Sequence, residues 1–114
     1  MPVVTQFRPD LVLVSAGFDA HERDPLAGMR LTVGAFAAMT GELRDFSAAA
    51  CQGRLAVMTE GGYDLRALEQ SMDAVAGVMA GGPAKWPAPS SVLPSRGRVA
   101  AQAARHALST FWDW

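Results

Sequence analysis

An α/β fold with parallel strands is predicted for this chain, and three observations predict it. Leu11-Val12-Leu13-Val14 and Leu55-Ala56-Val57-Met58 are short unbroken apolar runs, the pattern of strands buried on both faces. After each run comes a longer stretch whose apolar residues recur three and four apart, the pattern of a helix with one buried stripe. Strand, helix, strand, helix at this spacing makes a βαβα unit, with parallel strands and a right-handed crossover.

Residues 1–9 read as a short lead-in, with Pro9 biasing Arg8 toward an extended conformation. The first strand runs over about 10–16, and a charged loop from Phe18 to Leu31 follows. Thr32 is the expected N-cap of a helix to about Ala50, with Phe36, Met39, Leu43 and Phe46 on its inner face. Gly34 and Gly41 weaken that helix, and Gln52-Gly53 closes it. The second strand covers 54–59, and Glu60-Gly61-Gly62-Tyr63 turns the chain. Asp64 then caps a helix to about Ala80, with the stripe Leu65, Leu68, Met72, Val75 and Met79.

Gly81 to Gly97 holds four of the seven prolines and reads as an ordered or semi-extended connection rather than a packed element, with Trp86 pinning it. Arg98 to Phe111 is an alanine-rich terminal helix, ending in the aromatic cluster Phe111, Trp112 and Trp114. The expected core is therefore about 8–80, the connection 81–97 and the last helix 98–112. Two apolar parallel strands need neighbours at their edges and helices on both faces. The unit thus reads as the end of a larger sheet whose other strands lie elsewhere.

Composition narrows the function classes. Half of the 114 residues are hydrophobic and only 18% are charged, which fits a packed domain rather than a disordered one. A formal net charge of −1 gives no electrostatic case for direct nucleic-acid binding or for an anionic membrane. Cys51 is the single cysteine, so an intrachain disulfide is excluded, and without a nearby cation it reads as an inert half-buried thiol. Met1 to Thr5 has neither a basic segment nor an apolar stretch, and no run reaches the length of a membrane span. The cytoplasm is the expected compartment.

The chemistry gathers where the strands end. Asp19, His21, Glu22, Arg23 and Asp24 crowd into six residues just past the first strand, at the sheet edge where open α/β folds bind ligands. Asp19 there can ligate a metal, anchor its loop by hydrogen bonds, or cap a neighbouring helix. Asp19-Ala20-His21 offers two donors that could meet one metal on a bent loop. Asp24-Pro25 is a turn signature, with Asp24 satisfying loop amides. Gly61-Gly62 lets the backbone turn sharply and approach a ligand closely. A phosphate cradle there is the weaker reading, because no Gly-rich fingerprint or Walker lysine accompanies it. Tyr63 either meets a ligand or packs over the helix start. Ser15 lacks a nucleophile-elbow setting, and His106 reads as a partly exposed helix residue.

Ser15-Ala16-Gly17-Phe18-Asp19-Ala20-His21-x-x-Asp24-Pro25-Leu26, followed by Glu60-Gly61-Gly62-Tyr63, resembles the zinc-dependent histone deacetylase superfamily. The bacterial branch of deacetylase-like proteins and acetylpolyamine amidohydrolases is the most similar, and Glu60 fits that branch. The resemblance implies the carboxyl-terminal βαβα portion, with terminal helix, of an arginase/deacetylase-like three-layer parallel-sheet fold. It also implies hydrolysis of N-acetyl amides of lysine or polyamines, with water activated by zinc and a histidine base. Asp19 matches the third zinc ligand, Tyr63 the hydroxyl that polarises the carbonyl and holds the oxyanion, and Leu26 a wall of the acyl tunnel. Gly61 and Gly62 fall on the substrate-binding turn, and His21, which aligns with none of the family's metal ligands, becomes a loop or rim residue.

The family's paired histidines and its upstream Asp-x-His pair are absent from these 114 residues. This polypeptide alone is therefore expected to bind zinc weakly and to be inactive, whether as a fragment, a truncated gene product or one piece of a split enzyme. Association with the missing amino-terminal part, or with a second copy, is expected on the same ground. The competing reading is a non-enzymatic remnant that acts through its open sheet and terminal aromatics as an interaction module. A nucleotide-binding domain resting on Gly61-Gly62 comes last.

Overall fold

The computed structural model describes residues 2–85 and 95–113. They fall into two units, one built from 10–87 and one from 1–9 with 88–114. The sequence-predicted anchor Trp86 and the terminal Trp114 lie outside the described residues, as does most of the proline-rich connection.

The larger unit holds strands β1 (Val12–Ala16) and β2 (Leu55–Thr59), paired parallel from Val12↔Leu55 to Ala16↔Thr59. A single 3-10 turn, Phe18–Ala20, follows β1, and His21 forms a bridge with Leu31 across the base of the charged loop. Helix α2 (Val33–Ala50) links the strands, and α3 (Leu65–Met79) follows β2. Both N-caps are those predicted. Thr32 Oγ1 accepts the Ala35 N–H at 3.3 Å, and the Asp64 carboxylate accepts the Ala67 N–H at 2.8 Å. These bonds satisfy amides that the first turn of a helix leaves without intrahelical partners. The left-handed residues Gln52 and Gly53 end α2, with the Gly53 N–H bonded to Ser47 O at 2.8 Å.

The strands are not buried on both faces, contrary to the prediction from their apolar runs. Val14, Ala16 and Val57 share a hollow with Phe36, Met39, Leu43 and Val75, so α2 and α3 both cover that side. Leu11, Leu13 and Met58 point the other way and stay open to solvent, Leu13 at 61% exposure. The apolar run records a two-sided environment that the described residues supply on one side only.

Phe18, Phe36 and Val75 form the core cluster, with Ala16, Ala20, Leu31, Met39 and Leu68 packed against it. The buried side of α3 is Ala67, Ser71, Val75 and Val78, while the predicted Leu65, Met72 and Met79 remain exposed. Small residues face inward because α2 and α3 pack closely. The segment after α3 comes equally close to α2 at Gly41, where a methyl would collide with Ala84. The start of the connection is ordered, as one of the two expectations had it: Arg44 Nη1 donates to both Val78 O and Gly82 O at 2.9 Å, while Gly81, Pro83 and Lys85 stay exposed.

In the smaller unit, Pro2–Phe7 forms a helix, α1, where a lead-in was expected. Pro2 is tolerated at the first helical position because its missing N–H would have no intrahelical partner there. Arg8 takes a left-handed φ of 53° and its N–H donates to Val4 O, closing the turn instead of extending before Pro9. The last helix, α4, runs from Ser95 to Leu108, three residues earlier at each end than predicted. The Gln6 side chain bonds both the N–H and the carbonyl of Asp113.

Candidate active site

The two strands end level with each other, and their pairing continues into the loops beyond. Glu60 N–H donates to Ala16 O at 3.1 Å, and Phe18 N–H donates to Gly61 O at 2.8 Å. The two carboxyl-edge loops are thereby held side by side around an open depression of about 540 Å³, lined by Ser15, Gly17, Asp19, Glu60, Gly61 and Tyr63.

Asp19 stands in this depression on the 3-10 turn, its carboxylate between two glycines. A methyl on Gly17 would lie 2.7 Å from Asp19 Oδ1, and one on Gly61 would lie 2.8 Å from both Oδ1 and Cγ. Only residues without a β-carbon let both loops close on the carboxylate. Gly62 serves a different purpose. It takes a φ of 147°, a region open to glycine, and a methyl there would lie 2.9 Å from Leu68 Cδ1 and 3.2 Å from Phe18 Cβ.

Tyr63 follows at the mouth, 58% exposed. Its backbone is fixed from the charged loop: Asp24 Oδ2 accepts the Tyr63 N–H at 2.7 Å and the Asp64 N–H at 3.3 Å. Asp24 Oδ1 accepts the Leu26 N–H at 3.0 Å. Burial pushes the Asp24 carboxyl up, but the N–H groups of Tyr63, Leu26, Asp64 and Ala27 outweigh it and hold it below its ordinary value. Asp64 is also held low, first by the Ala67 N–H, which outweighs burial, and then by Arg23 and His21. The Arg23–Asp64 pair, 3.2 Å apart, ties the same two segments at the surface.

Of the residues singled out in the sequence, Asp19, Gly61 and Tyr63 come together in one depression. Gly62 packs beneath it against Leu68 and Phe18, and Leu26, 67% exposed, is not among its lining residues. Ser15 and Glu60 do line it, although the sequence assigned neither a site role. His21 is not a rim residue. It is 5% exposed, stacks on Phe36 with ring centres 6.4 Å apart, and accepts the Arg23 N–H on Nδ1 at 3.1 Å. Asp24 reaches beyond its own loop amides to a residue 39 positions away, a contact that no local spacing announces.

Asp19 has the chemistry of a single hard or borderline metal ligand, a carboxylate facing an open depression. Among the described residues no group of three His, Cys, Asp or Glu side chains is arranged to hold a metal ion. The donor set present fits one arm of a zinc site.

A parallel sheet with a carboxylate and a tyrosine on adjoining carboxyl-edge loops defines an α/β protein with a polar site at the carboxyl edge of its strands. The histone deacetylase domain model matches residues 1–79, and the chain belongs to that family. It is 45% identical over 71 residues to "Histone deacetylase 10, chloroplastic" of Oryza sativa subsp. japonica, covering 62% of this chain and 16% of the relative. It is 48% identical over 63 residues to "Histone deacetylase-like amidohydrolase" of Pseudomonas aeruginosa, covering 55% of this chain and 17% of the relative. The chain therefore spans only a small part of the curated relatives it matches. The crystal structure of the HDA15 HD domain superposes with a TM-score of 0.81 and 34% identity, covering 98% of this chain and 28% of that one. The α/β architecture is thus that of a deacetylase-domain portion, as the two sequence motifs predicted.

Proposed function

We propose that this chain acts as the carboxyl-terminal portion of a zinc-dependent deacetylase domain that hydrolyses N-acetyl amides of lysine or polyamines. The observation that carries this reading is the joint placement of Asp19 and Tyr63 around one depression, on loops bonded to each other. Asp19 supplies one charged oxygen to the metal. Tyr63 donates its hydroxyl to the oxygen that gains negative charge as the amide carbonyl becomes tetrahedral. Gly61 and Gly62 keep the turn narrow, and Leu26, which lies outside the depression, would offer an apolar wall to the acyl-bearing chain only where that chain runs beyond it. Bound zinc would polarise the carbonyl and lower the pKa of water.

The remaining ligands and the base come from outside these 114 residues, so the chain works only when joined or paired with a part that carries them. The 28% coverage of the HDA15 domain supports this division. No direct nucleic-acid contact is part of the reading. The cytoplasm is the compartment that goes with it. Among the described residues no helix is long and apolar enough to cross a membrane.

Co-expression with the amino-terminal part of a related deacetylase tests the proposal. Turnover of an acetyl-lysine or acetylpolyamine amide by the pair, and by neither part alone, is the expected result. A stable pair without turnover would favour the second reading, a non-enzymatic interaction module, which the solvent-open Leu11, Leu13 and Met58 recommend.

A further inference from the structure

We propose that Asp24 is a positioning residue for Tyr63, holding the tyrosine backbone so that its ring stands at the mouth of the Asp19 depression. The role rests on the reading of Tyr63 as the oxyanion donor. A ring 58% exposed gains little orientation from its own packing, so its place depends on the backbone that carries it. That backbone is held from two sides. Phe18 N–H donates to Gly61 O at 2.8 Å, and Asp24 Oδ2 takes the N–H groups of Tyr63 and Asp64 at 2.7 and 3.3 Å. Hydrogen bonds to an ionised acceptor are the stronger kind, and this carboxylate is only 7% exposed to competing water.

The carboxylate is itself fixed, as a positioning group must be. The charged loop closes at its base through Glu22 N–H to Leu31 O at 2.8 Å and Leu31 N–H to Ala20 O at 3.0 Å. His21 locks the loop inward by stacking on Phe36, and its Nδ1 accepts the Arg23 N–H. Ala20 is the last residue of the 3-10 turn that carries Asp19. One short segment therefore presents Asp19 directly and sets Tyr63 through Asp24. The spacing of the two site groups becomes a property of one loop rather than of two independent ones. A purely local role for Asp24 would need only its bond to Leu26, and its second oxygen would have no reason to reach the start of α3.

Tyr63 is the only tyrosine of the chain, so ¹⁵N-tyrosine labelling gives one amide signal from the full protein. In the wild type that amide should lie downfield and exchange slowly with solvent. Asp24→Asn should move it upfield and speed its exchange, because one carboxamide cannot accept on both sides. Arg23→Gln, which removes only the surface ion pair, should leave it in place. In the co-expressed enzyme, Asp24→Asn should lower kcat roughly 10- to 100-fold with KM and zinc content nearly unchanged.

A Tyr63 amide that is unprotected in the wild type, or unmoved by Asp24→Asn, overturns the proposal. So does a loss of zinc in step with kcat. If the co-expressed wild type turns over no amide, the deacetylase reading fails, while the amide signal still decides whether Asp24 fixes Tyr63. Should Asp24→Asn fail to fold, exchange protection of the wild-type amide decides the same question: slow exchange supports the role, and fast exchange overturns it.

Discussion

Gly61 lies so close to Asp19 that a methyl on its α-carbon would meet the Asp19 carboxylate at 2.8 Å. Neither loop can retreat freely, because the Gly61 carbonyl is bonded to the Phe18 N–H one residue before Asp19. The two strands and the two site loops are thus one bonded assembly, with the carboxylate set between Gly17 and Gly61.

Gly61→Ala is therefore expected to displace the Asp19 carboxylate rather than to unfold the chain. In the co-expressed enzyme, zinc content should fall along with activity, while the circular dichroism of the isolated variant stays close to wild type. Gly53→Ala makes the comparison, since a methyl there meets no atom within 4 Å although its left-handed φ of 75° adds strain. It should lower the melting temperature and leave zinc binding alone. Equal zinc loss in both variants would show that the Gly61 effect is general destabilisation.

The pH dependence of stability should carry the signature of Asp24 and Asp64, both held below the ordinary value of 3.8. A depressed folded-state pKa means that, near and below 3.8, the unfolded chain binds more protons than the folded one. Their contribution is then fully present above that value and is lost as pH falls through the folded-state values. Urea midpoints should be level in this respect down to about pH 4 and fall below it. Asp24→Asn should flatten the acid limb. An unchanged limb would mean that the Tyr63 and Asp64 amides do not hold the carboxylate in solution.

Which parts of the molecule were legible in its sequence follows from how local each determinant is. Thr32 and Asp64 announced their caps because a cap is settled within three residues, and the strands' apolar runs announced a parallel pair. The deacetylase motifs named Asp19 and Tyr63 because each is a contiguous string. The bond from Asp24 to Tyr63 was hidden because it joins segments 39 residues apart. His21, expected as a loop or rim residue, does sit in the charged loop, but its ring is buried against Phe36 while Glu22 and Arg23 beside it stay exposed. In α3 the larger apolar residues drew attention from Ala67 and Ser71, which close packing against α2 actually buries.

The open face of the sheet separates folding of this chain from the assembly proposed for it. Leu13 is 61% exposed, so Leu13→Lys should leave the secondary structure of the isolated chain intact and raise its solubility. In co-expression the same variant should fail to co-purify with the amino-terminal part, because a lysine cannot be buried there without a partner. Co-purification and turnover at wild-type levels would mean that this face is not where the rest of the domain packs.

Asp19 and Tyr63 should separate by role in the completed enzyme. Asp19→Asn would remove the charge of the proposed zinc ligand, so zinc content and turnover should fall together. Tyr63→Phe would remove only the hydroxyl proposed to meet the developing oxyanion, so zinc should stay bound and KM should change little. Loss of one such donor typically lowers kcat by roughly 10²–10³-fold, about 3–4 kcal/mol. The exposure of the Tyr63 side chain, and the holding of its backbone by Asp24, argue that removing the hydroxyl leaves the turn undisturbed. Zinc lost in step with activity in Tyr63→Phe would make the tyrosine a structural residue. A near-normal kcat would remove it from the chemistry and leave Asp19 as the only functional group this chain contributes.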